Sequence, residues 1–597
     1  MTRLFSGLFY SSIGILPLAA IDDVSVIPTI AVYDLEGRIS EAGGSDDTLL
    51  ALTLVPSRPL TMFDLGRSLE KAVNDPKLKA VVLEVDGAEL DFSQVQQIRR
   101  QLLALRAAEK EVWLYSEHLT NSTALLGSAA SHFILMPEAD CSFNGIYAES
   151  LYFKGMLDKL GVRADVIHIG DFKSFGETFY RTGPSDAALK QQEALITSIF
   201  SQVVSQVAVG RTLSEKLLSD LIDDGALTAK KAHEAKLADA LMYRTDFAKK
   251  LKETYGEDAD FDREYQLPDL DGPNITGMMD IFKLLFHDSN NAKSRKDFVA
   301  IVALEGDITE ESIAPVRSEV LKLAKDDQAK ALVLRVNSPG GSALASEILW
   351  EATDEWNATG KPFVVSMGGV AASGGYYVSA AADRIFAEEG TITGSIGVVG
   401  MKFVIGEAME KIGITTHSSQ RGKHAGAMSA TKGFSEEESK LVRDSMTEIY
   451  RTFKQRIMDG RGKTIKGDLE SLAGGRVYSG KDALAVGLID ELGGLQEAIA
   501  YAAKEANFKE GESKLVPQPK SGLEGLLAPP EKPDAGEIIR ASVREGSAAR
   551  FHKLLSSSGI LEGVSARAQS EMMRLCSRLR VFQSSRVLLL GPDLHLR

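Results

Sequence analysis

The feature that most constrains this chain is an internal repeat of long period. The run KAVVLEVD at residues 79–86 returns as KALVLRVN at residues 330–337, which is 251 residues later. The triplet SAA at residues 128–130 returns at residues 379–381, again 251 residues later. Repeats that build solenoids have periods of about 20 to 50 residues. The longer period therefore predicts a tandem duplication of a whole domain.

The repeat divides the 597 residues into four segments. They are an apolar N-terminal segment at 1–27, a first copy at 28–260, a second copy at 297–508, and a linker with a C-terminal packing segment at 509–597. The last part has no counterpart in the first copy. We expect it to supply a helix and a last strand, with its apolar residues at 587–590, that pack on the neighbouring copy.

Within each copy, short apolar runs alternate with segments of helical periodicity. Residues 298–304 and 331–336 are rich in β-branched residues and bounded by turn residues, which is typical of buried strands. Residues 313–324 and 343–353 carry apolar side chains at helical spacing. The alternation predicts an α/β fold with mostly parallel strands and flanking helices, present twice.

Composition excludes several classes of function. Lys and Arg number 68 against 83 Asp and Glu, a net charge of −15, whereas nucleic-acid-binding proteins carry a basic excess. Two cysteines allow no disulfide framework, and the nine histidines show no HExxH spacing of a zinc hydrolase. A GxxxxGK[ST] phosphate-binding loop is also missing from the sequence. We therefore expect no nucleic-acid partner, no metal and no cofactor.

The N-terminal segment is ambiguous. Residues 4–20 form an apolar run behind Arg3, interrupted by two glycines and a proline, and slightly short for a bilayer span. A short apolar run behind a basic residue is typical of a secretory signal, and a buried first segment is the alternative. We expect export or membrane anchoring, with the remainder soluble because no other apolar run reaches 18 residues.

Three glycine-rich turns distinguish the second copy. They are NSPGGS at 337–342, MGGVAASGGY at 367–376 and GTITGSIGVVG at 390–400. Glycine allows positive φ angles and close backbone approach, so amide groups there can face a ligand oxygen. Two of the turns contain a candidate serine, Ser373 and Ser395. A serine in such a turn is most often structural, so the turns alone identify no nucleophile.

Comparison of the two copies adds a more specific indication. The first copy lacks the SPGG turn and has Asn144 or Phe143 in the place of Ser395. Conversely, Lys173 in the stretch GDFKS of the first copy aligns with Ala425 of the second. These complementary losses predict one site shared at the interface of the copies. The alternative is that Lys173 is an ordinary surface lysine.

The turns NSPGGS, GGVAASGGYY and TGSIGVVG together resemble the signal peptide peptidase A (protease IV) family in its long, duplicated form, over about residues 28–508. The resemblance implies a ClpP/crotonase-like fold and a serine endopeptidase with a Ser–Lys dyad, in which Ser395 is the nucleophile and Lys173 the general base. It also implies a homotetramer tethered to the bacterial cytoplasmic membrane, with soluble domains on the periplasmic face. Its substrates would be signal peptides or other short extended peptides.

Elementary chemistry is consistent with those roles. A lysine with its ordinary pKa is protonated at neutral pH, so it can act as a base only if burial lowers that pKa. Phe172 and Phe175 flank Lys173 and can help to exclude water. A tetrahedral oxyanion needs amide donors, for which we expect the N–H groups of Gly341 and Ile396.

Three other interpretations stay open. A ClpP-like site would use Ser373 as the nucleophile with His424 or His417 as its base, although Ser373 has a counterpart, Ser122, in the first copy. A crotonase-like acyl-CoA enzyme would use the same glycine amides with a carboxylate, Glu347 or Glu388, for acid–base chemistry. A non-catalytic scaffold would bind peptides or membrane partners.

Overall fold

The computed structural model describes residues 28–41, 60–268, 296–508, 512–516 and 588–590. The apolar segment at 1–27 and most of the segment at 509–597 lie outside the described residues. The two predicted copies lie almost entirely inside them.

The first copy alternates strands and helices along its length. Its strands are β1 (Thr29–Arg38), β2 (Leu78–Glu89), β3 (Glu111–Leu119), β4 (His132–Cys141), β5 (Arg163–Ile169), β6 (Ala240–Leu241) and β7 (Asp260–Asp262). Its helices are α1 (Met62–Asn74), α2 (Phe92–Ala107), α3 (Asn121–Ala129), α4 (Lys154–Leu160), α5 (Glu177–Tyr180), α6 (Asp186–Arg211), α7 (Glu215–Asp224), α8 (Ala229–Glu234) and α9 (Arg244–Tyr255).

The second copy repeats this order with extra strands around the glycine turns. Its strands are β8 (Phe298–Glu305), β9 (Ala329–Ser338), β10 (Gly340–Ser342), β11 (Phe363–Ala372), β12 (Arg384–Ala387), β13 (Ile392–Gly394), β14 (Val398–Val404), β15 (Val477–Ser479), β16 (Glu491–Leu492), β17 (Glu512–Leu515) and, from the C-terminal segment, β18 (Leu588–Leu590). Its helices are α10 (Glu310–Ala324), α11 (Ala343–Asn357), α12 (Gly374–Ser379), α13 (Gly406–Lys411), α14 (Glu436–Arg461), α15 (Leu469–Leu472), α16 (Gly480–Val486) and α17 (Leu495–Glu505).

Each copy is built on its own sheet. In the first copy the strand order is β6-β4-β3-β2-β1-β7, and all neighbours are parallel. In the second copy the order is β15-β13-β11-β9-β8-β17, with β12 beside β11 and β16 beside β12. Only the pair of β13 and β15 is antiparallel in this sheet of the described residues. The predicted α/β class with mostly parallel strands is confirmed.

The central strands are apolar along their whole length because helices cover both faces of the sheets. In β9, Val333 and Leu334 point to opposite faces, and both are fully buried. Leu334 belongs to the core with α10 and α11, whereas Val333 packs with residues of α17. This is the reason why β9 reads as a continuous apolar run rather than an alternating one.

Buried polar contacts hold the two copies together. Arg335 of β9 donates to Glu41 over 2.8 Å, and both side chains are almost completely buried. Arg335 also donates to Gln97 of α2. Gln191 of α6 exchanges hydrogen bonds with the backbone N–H and carbonyl of Val477. Removal of one partner from a buried ion pair costs about 3 to 5 kcal/mol, so the relative position of the copies is well determined.

A third sheet crosses the boundary between the copies. Its order is β10-β18-β14-β5, and its neighbouring strands are antiparallel. The pair of β5 and β14 joins the first copy to the second over seven residues on each strand. This sheet lies next to the glycine turns and therefore positions the candidate site.

One helix of the described residues, α6, is long and apolar enough to cross a membrane. Its residues Ile199, Val203 and Val207 are buried against other parts of the protein. We interpret α6 as a core helix, since a buried helix of this length passes the same test. Residues 1–27, on which the prediction of a signal or anchor rests, lie outside the described part of the chain.

Candidate active site

A lysine of the first copy meets two serines of the second copy in a buried contact. Nζ of Lys173 lies 2.7 Å from Oγ of Ser373 and 3.1 Å from Oγ of Ser395. It also donates to the carbonyl oxygen of Ser395 over 2.8 Å. All three residues are buried, and only 3 % of Lys173 is exposed. The structure thus brings together the predicted Lys173 and Ser395, and it adds Ser373.

The pairing of β5 with β14 carries Lys173 across the copy boundary. Its register places Ile169, the last residue of β5, opposite Val398, the first residue of β14. Gly170 then adopts a φ angle of +104°, which turns the chain toward Lys173. A Cβ atom at Gly170 would lie 2.4 Å from the carbonyl carbon of Gly474, so glycine is required for this approach.

The brace loop (residues 473–476) connects the lysine turn to the Ser395 turn. The N–H of Phe172 donates to the carbonyl of Gly474 over 2.9 Å, and the N–H of Ser395 donates to the carbonyl of Arg476 over 2.6 Å. The guanidinium of Arg476 lies 3.7 Å from the centre of the Phe172 ring, a cation–π contact. The lysine and the serine turns are therefore held by one short segment of the second copy.

Substitution of Gly475 in the brace loop is expected to separate the lysine from the serines. A Cβ atom there would lie 2.4 Å from the backbone nitrogen of Lys173, so Gly475→Ala must displace the lysine turn. A displacement of about 1 Å in a reacting group can cost about 100-fold in rate. We expect a loss of that size in kcat/KM, measured with a fluorogenic peptide.

Gly467→Ala is the matched control for this prediction. Gly467 also has a positive φ angle, +111°, but no atom lies within 4 Å of a Cβ placed there. The control therefore introduces backbone strain without the clash. Equal losses of activity in Gly475→Ala and Gly467→Ala would contradict the role given to close packing against Lys173.

Ser373 lies in a sharp turn between a strand and a helix. It follows Ala372 at the end of β11 and precedes Gly374 at the start of α12, with φ 56° and ψ −109°. Its N–H donates to the carbonyl of Gly394, and its carbonyl accepts from the N–H of Tyr377, each over 2.8 Å. A non-glycine residue at a positive φ angle is strained, and Ser395 has a similar φ angle of 53°. Such strain clusters at active sites. The α/β-hydrolases present their nucleophile on a strained strand-to-helix turn of the same kind.

The surroundings of Lys173 favour its neutral amine. Burial lowers the pKa of Lys173 well below its ordinary value, because the ammonium form loses its hydration. Within the described ranges, Lys173 forms no ion pair with a carboxylate that would restore the charge. A neutral amine has two N–H donors and one lone pair. In this neutral form, Lys173 can accept a proton from a serine hydroxyl.

Backbone amides next to Ser373 come from two glycine turns. A Cβ atom at Gly341 in β10 would lie 2.0 Å from the carbonyl oxygen of Ile308, and one at Gly374 would lie 3.2 Å from Cα of Gly340. The start of α12 is thus packed directly on β10. The first amides of a helix have no acceptor within the helix, so that of Gly374 is available to a ligand.

Comparison with known proteins identifies the family. Residues 104–257 and 355–509 each match the model of peptidase family S49, and together they make up about half of the chain. The chain belongs to peptidase family S49. Two matches to one family model confirm the predicted duplication and the predicted resemblance. The Clp protease model also matches residues 289–391, in agreement with the ClpP-like fold expected for this S49 peptidase.

Named relatives support a serine peptidase. "Serine protease SPPA, chloroplastic" of Arabidopsis thaliana is 30% identical over 522 residues, 83% of this chain and 75% of the relative. "Protease 4" of Haemophilus influenzae is 31% identical over 477 residues, 76% of this chain and 74% of the relative. "Putative signal peptide peptidase SppA" of Enterococcus faecium is 34% identical over 188 residues, 32% of this chain and 54% of the relative. This S49 chain is accordingly a serine peptidase.

The alternative catalytic residues of this S49 peptidase are engaged elsewhere. His424 lies 3.6 Å from Glu437, and His417 is exposed. Among the described residues, it is Lys173 and not either histidine that lies within hydrogen-bond distance of Oγ of Ser373. Burial raises the pKa of Glu388 to about 7, and its carboxyl group pairs with Arg100 at the boundary between the copies.

Proposed function

We propose that this S49 peptidase is an endopeptidase in which Ser373 is the nucleophile, Lys173 is the general base and Ser395 positions the lysine. The observation that carries the proposal is the contact between Nζ of Lys173 and Oγ of Ser373, which at 2.7 Å is shorter than the 3.1 Å contact of Nζ with Oγ of Ser395. The family resemblance led us to expect Ser395 as the nucleophile, and that expectation stays a rival assignment.

The hydrogen-bonding capacity of a neutral lysine favours Ser373. Ser395 offers two oxygen atoms to Nζ, its carbonyl at 2.8 Å and its hydroxyl at 3.1 Å. These two acceptors can take both N–H groups of the amine, which leaves the lone pair for the hydroxyl proton of Ser373. In this arrangement Ser395 orients the base, and Ser373 gives up its proton.

The amide groups favour the same assignment. Gly374 directly follows Ser373, and Gly341 lies in the turn that packs on the start of α12. Their N–H groups are the proposed donors to the oxyanion that forms when Ser373 attacks a peptide carbonyl. Gly341 was predicted for this role, and Gly374 takes the place of the predicted Ile396. The N–H of Ile396, which directly follows Ser395, stays the donor in the rival assignment with Ser395 as the nucleophile.

The proposed reaction needs only these groups and water. Oγ of Ser373 attacks the carbonyl carbon while its proton passes to Nζ of Lys173. The ammonium then donates that proton to the leaving amine as the C–N bond breaks, which leaves an acyl ester on Ser373. A water molecule then attacks the ester carbonyl and gives its proton to Lys173. The bond between the acyl carbon and Oγ breaks, Lys173 returns the proton to Oγ of Ser373, and the carboxylic acid product leaves.

Extended peptides are the proposed substrates. The strands β10 and β14 do not pair with each other, and the space between them takes one further strand that pairs with both. A peptide bound there would be recognised through its backbone. In line with the name of the Enterococcus relative, we propose signal peptides as substrates. Membrane association and a homotetramer are further parts of the proposal, tested by cell fractionation and by light scattering.

Covalent labelling tests the assignment of the nucleophile directly. We expect a fluorophosphonate probe to form its adduct on Ser373, identified by peptide mass spectrometry. Lys173→Ala should abolish labelling, whereas Ser395→Ala should slow it and leave the adduct on Ser373. An adduct on Ser395 in the parent protein would overturn our assignment in favour of the one that the resemblance implies.

A further inference from the structure

We infer that the protein's own tail strand, Leu588–Leu590, occupies the peptide-binding groove and inhibits the enzyme by competing with substrate. The inference rests on the proposed function in one respect, since it takes the space between β10 and β14 as the groove for substrate. It adds a regulatory role for a segment that lies far along the chain from every catalytic residue.

The tail strand binds as an extended peptide would. As β18 it pairs antiparallel with β10, with Leu588 opposite Ser342, Leu589 opposite Gly341 and Leu590 opposite Gly340. On its other side Leu588 is opposite Val399 of β14. Strands on both sides thus use their backbone groups to hold it, which is how peptides bind by strand addition.

The direction of the tail strand places its end at the catalytic turn. Leu590 is opposite Gly340, and a Cβ atom at Gly374 would lie only 3.2 Å from Cα of that glycine. The tail strand also contacts α12, which begins directly after Ser373. The chain therefore runs from Leu588 toward Ser373, as the acyl side of a bound substrate would. A substrate cannot bind between β10 and β14 until the tail strand leaves.

Attachment to the same chain makes such competition effective. A tethered segment competes at an effective concentration that is in the millimolar range for short flexible linkers and falls with linker length, so its binding does not depend on the concentration of the protein. If the groove is open in about one molecule in ten, the apparent KM rises about tenfold, and kcat is unchanged. The inhibition is relieved when the tail strand dissociates from the groove between β10 and β14.

Two truncations test the inference by kinetics. A chain without residues 588–597 should show a KM about tenfold lower than the full chain for a short fluorogenic peptide, with kcat unchanged. A chain without residues 591–597 keeps the tail strand and should behave like the full chain. Equal KM values for all three proteins would overturn the inference.

A point variant tests the strand itself at full length. Leu589→Pro removes one backbone N–H from the centre of β18, so it should lower KM as the longer truncation does. Leu589→Ile keeps the N–H and favours a strand, so KM should stay that of the parent. A parent-like KM for Leu589→Pro would count against the paired strand.

A binding measurement separates this inference from the proposed function. In the Ser373→Ala background, a fluorescent peptide with the sequence of residues 582–590 should bind the chain that lacks residues 588–597 about tenfold more tightly than the full chain. Equal affinity overturns the inference. If the parent and the truncated chain both fail to cleave any peptide while this binding difference persists, the proposed function fails and the tail strand is still a groove ligand.

Discussion

Ser373→Ala is expected to reduce kcat/KM for a peptide ester by about 10⁴-fold or more, because it removes the atom that forms the acyl ester. Ser395→Ala should reduce it only by about 10- to 100-fold, since Lys173 stays buried and keeps its contact with the carbonyl of residue 395. The measurement is initial-rate kinetics on the purified variants.

The double variant makes this prediction sharper. If Ser395 acts through the lysine, then Ser395→Ala in the Ser373→Ala background should cause no further loss, because the effects of groups that act as a unit are not additive. Thermal melting of each protein shows whether it is folded. The reverse order of losses, with Ser395→Ala inactive and Ser373→Ala nearly normal, would contradict the proposed roles.

Replacement of Lys173 is expected to abolish activity while it stabilises the fold. Lys173→Met removes the base, so we expect a loss comparable to that of Ser373→Ala, about 10⁴-fold or more in kcat/KM. Lys173→Arg should be equally inactive because a guanidinium does not give up its proton. Burial of an ionisable amine lowers the free energy of unfolding, and methionine has no such group. Lys173→Met should therefore melt at a higher temperature than the parent at neutral pH.

The pH dependence of both effects follows from the direction of the pKa shift. Burial lowers the pKa of Lys173 in the folded protein, so kcat/KM should fall as the pH drops through that lowered value. Between the lowered value and the ordinary value near ~10.4, the unfolded chain binds more protons, and the free energy of unfolding rises with pH. The difference in melting temperature between Lys173→Met and the parent should therefore shrink as the pH rises. A constant difference would argue against a buried, uncharged lysine.

Much of the fold could be predicted because it depends on local pattern. The repeat of residues 79–86 at 330–337 marks β2 and β9, the matching strands of two parallel sheets. Helix cover on both faces makes such strands continuously apolar, so that their sequence shows them directly. The pairing of β5 with β14 has no such signal, since it joins strands from different copies through backbone hydrogen bonds.

The site was predictable only in part. Lys173 was predicted because the second copy has no lysine at the matching position. Ser373 was not predicted by this comparison, since the first copy has a serine, Ser122, at the matching position, which is typical of a structural residue. The residues that follow each serine distinguish the two copies more clearly. Gly374 and Gly375 follow Ser373, whereas Thr123 and Ala124 follow Ser122. A Cβ at Gly375 would lie 2.7 Å from the carbonyl of Ser338, so the glycines allow the close packing that the catalytic turn needs.

The brace loop also fixes when the enzyme can first act. Lys173 is in place only when the carbonyl groups of Gly474 and Arg476 have docked, and these residues are made some 300 positions later in the chain. At about 5–20 residues per second, the ribosome needs about 15 to 60 s to cover that distance. A nascent chain therefore carries its lysine for many seconds without the loop that holds it beside the two serines. Synthesis order thus delays assembly of the site until the second copy is nearly complete.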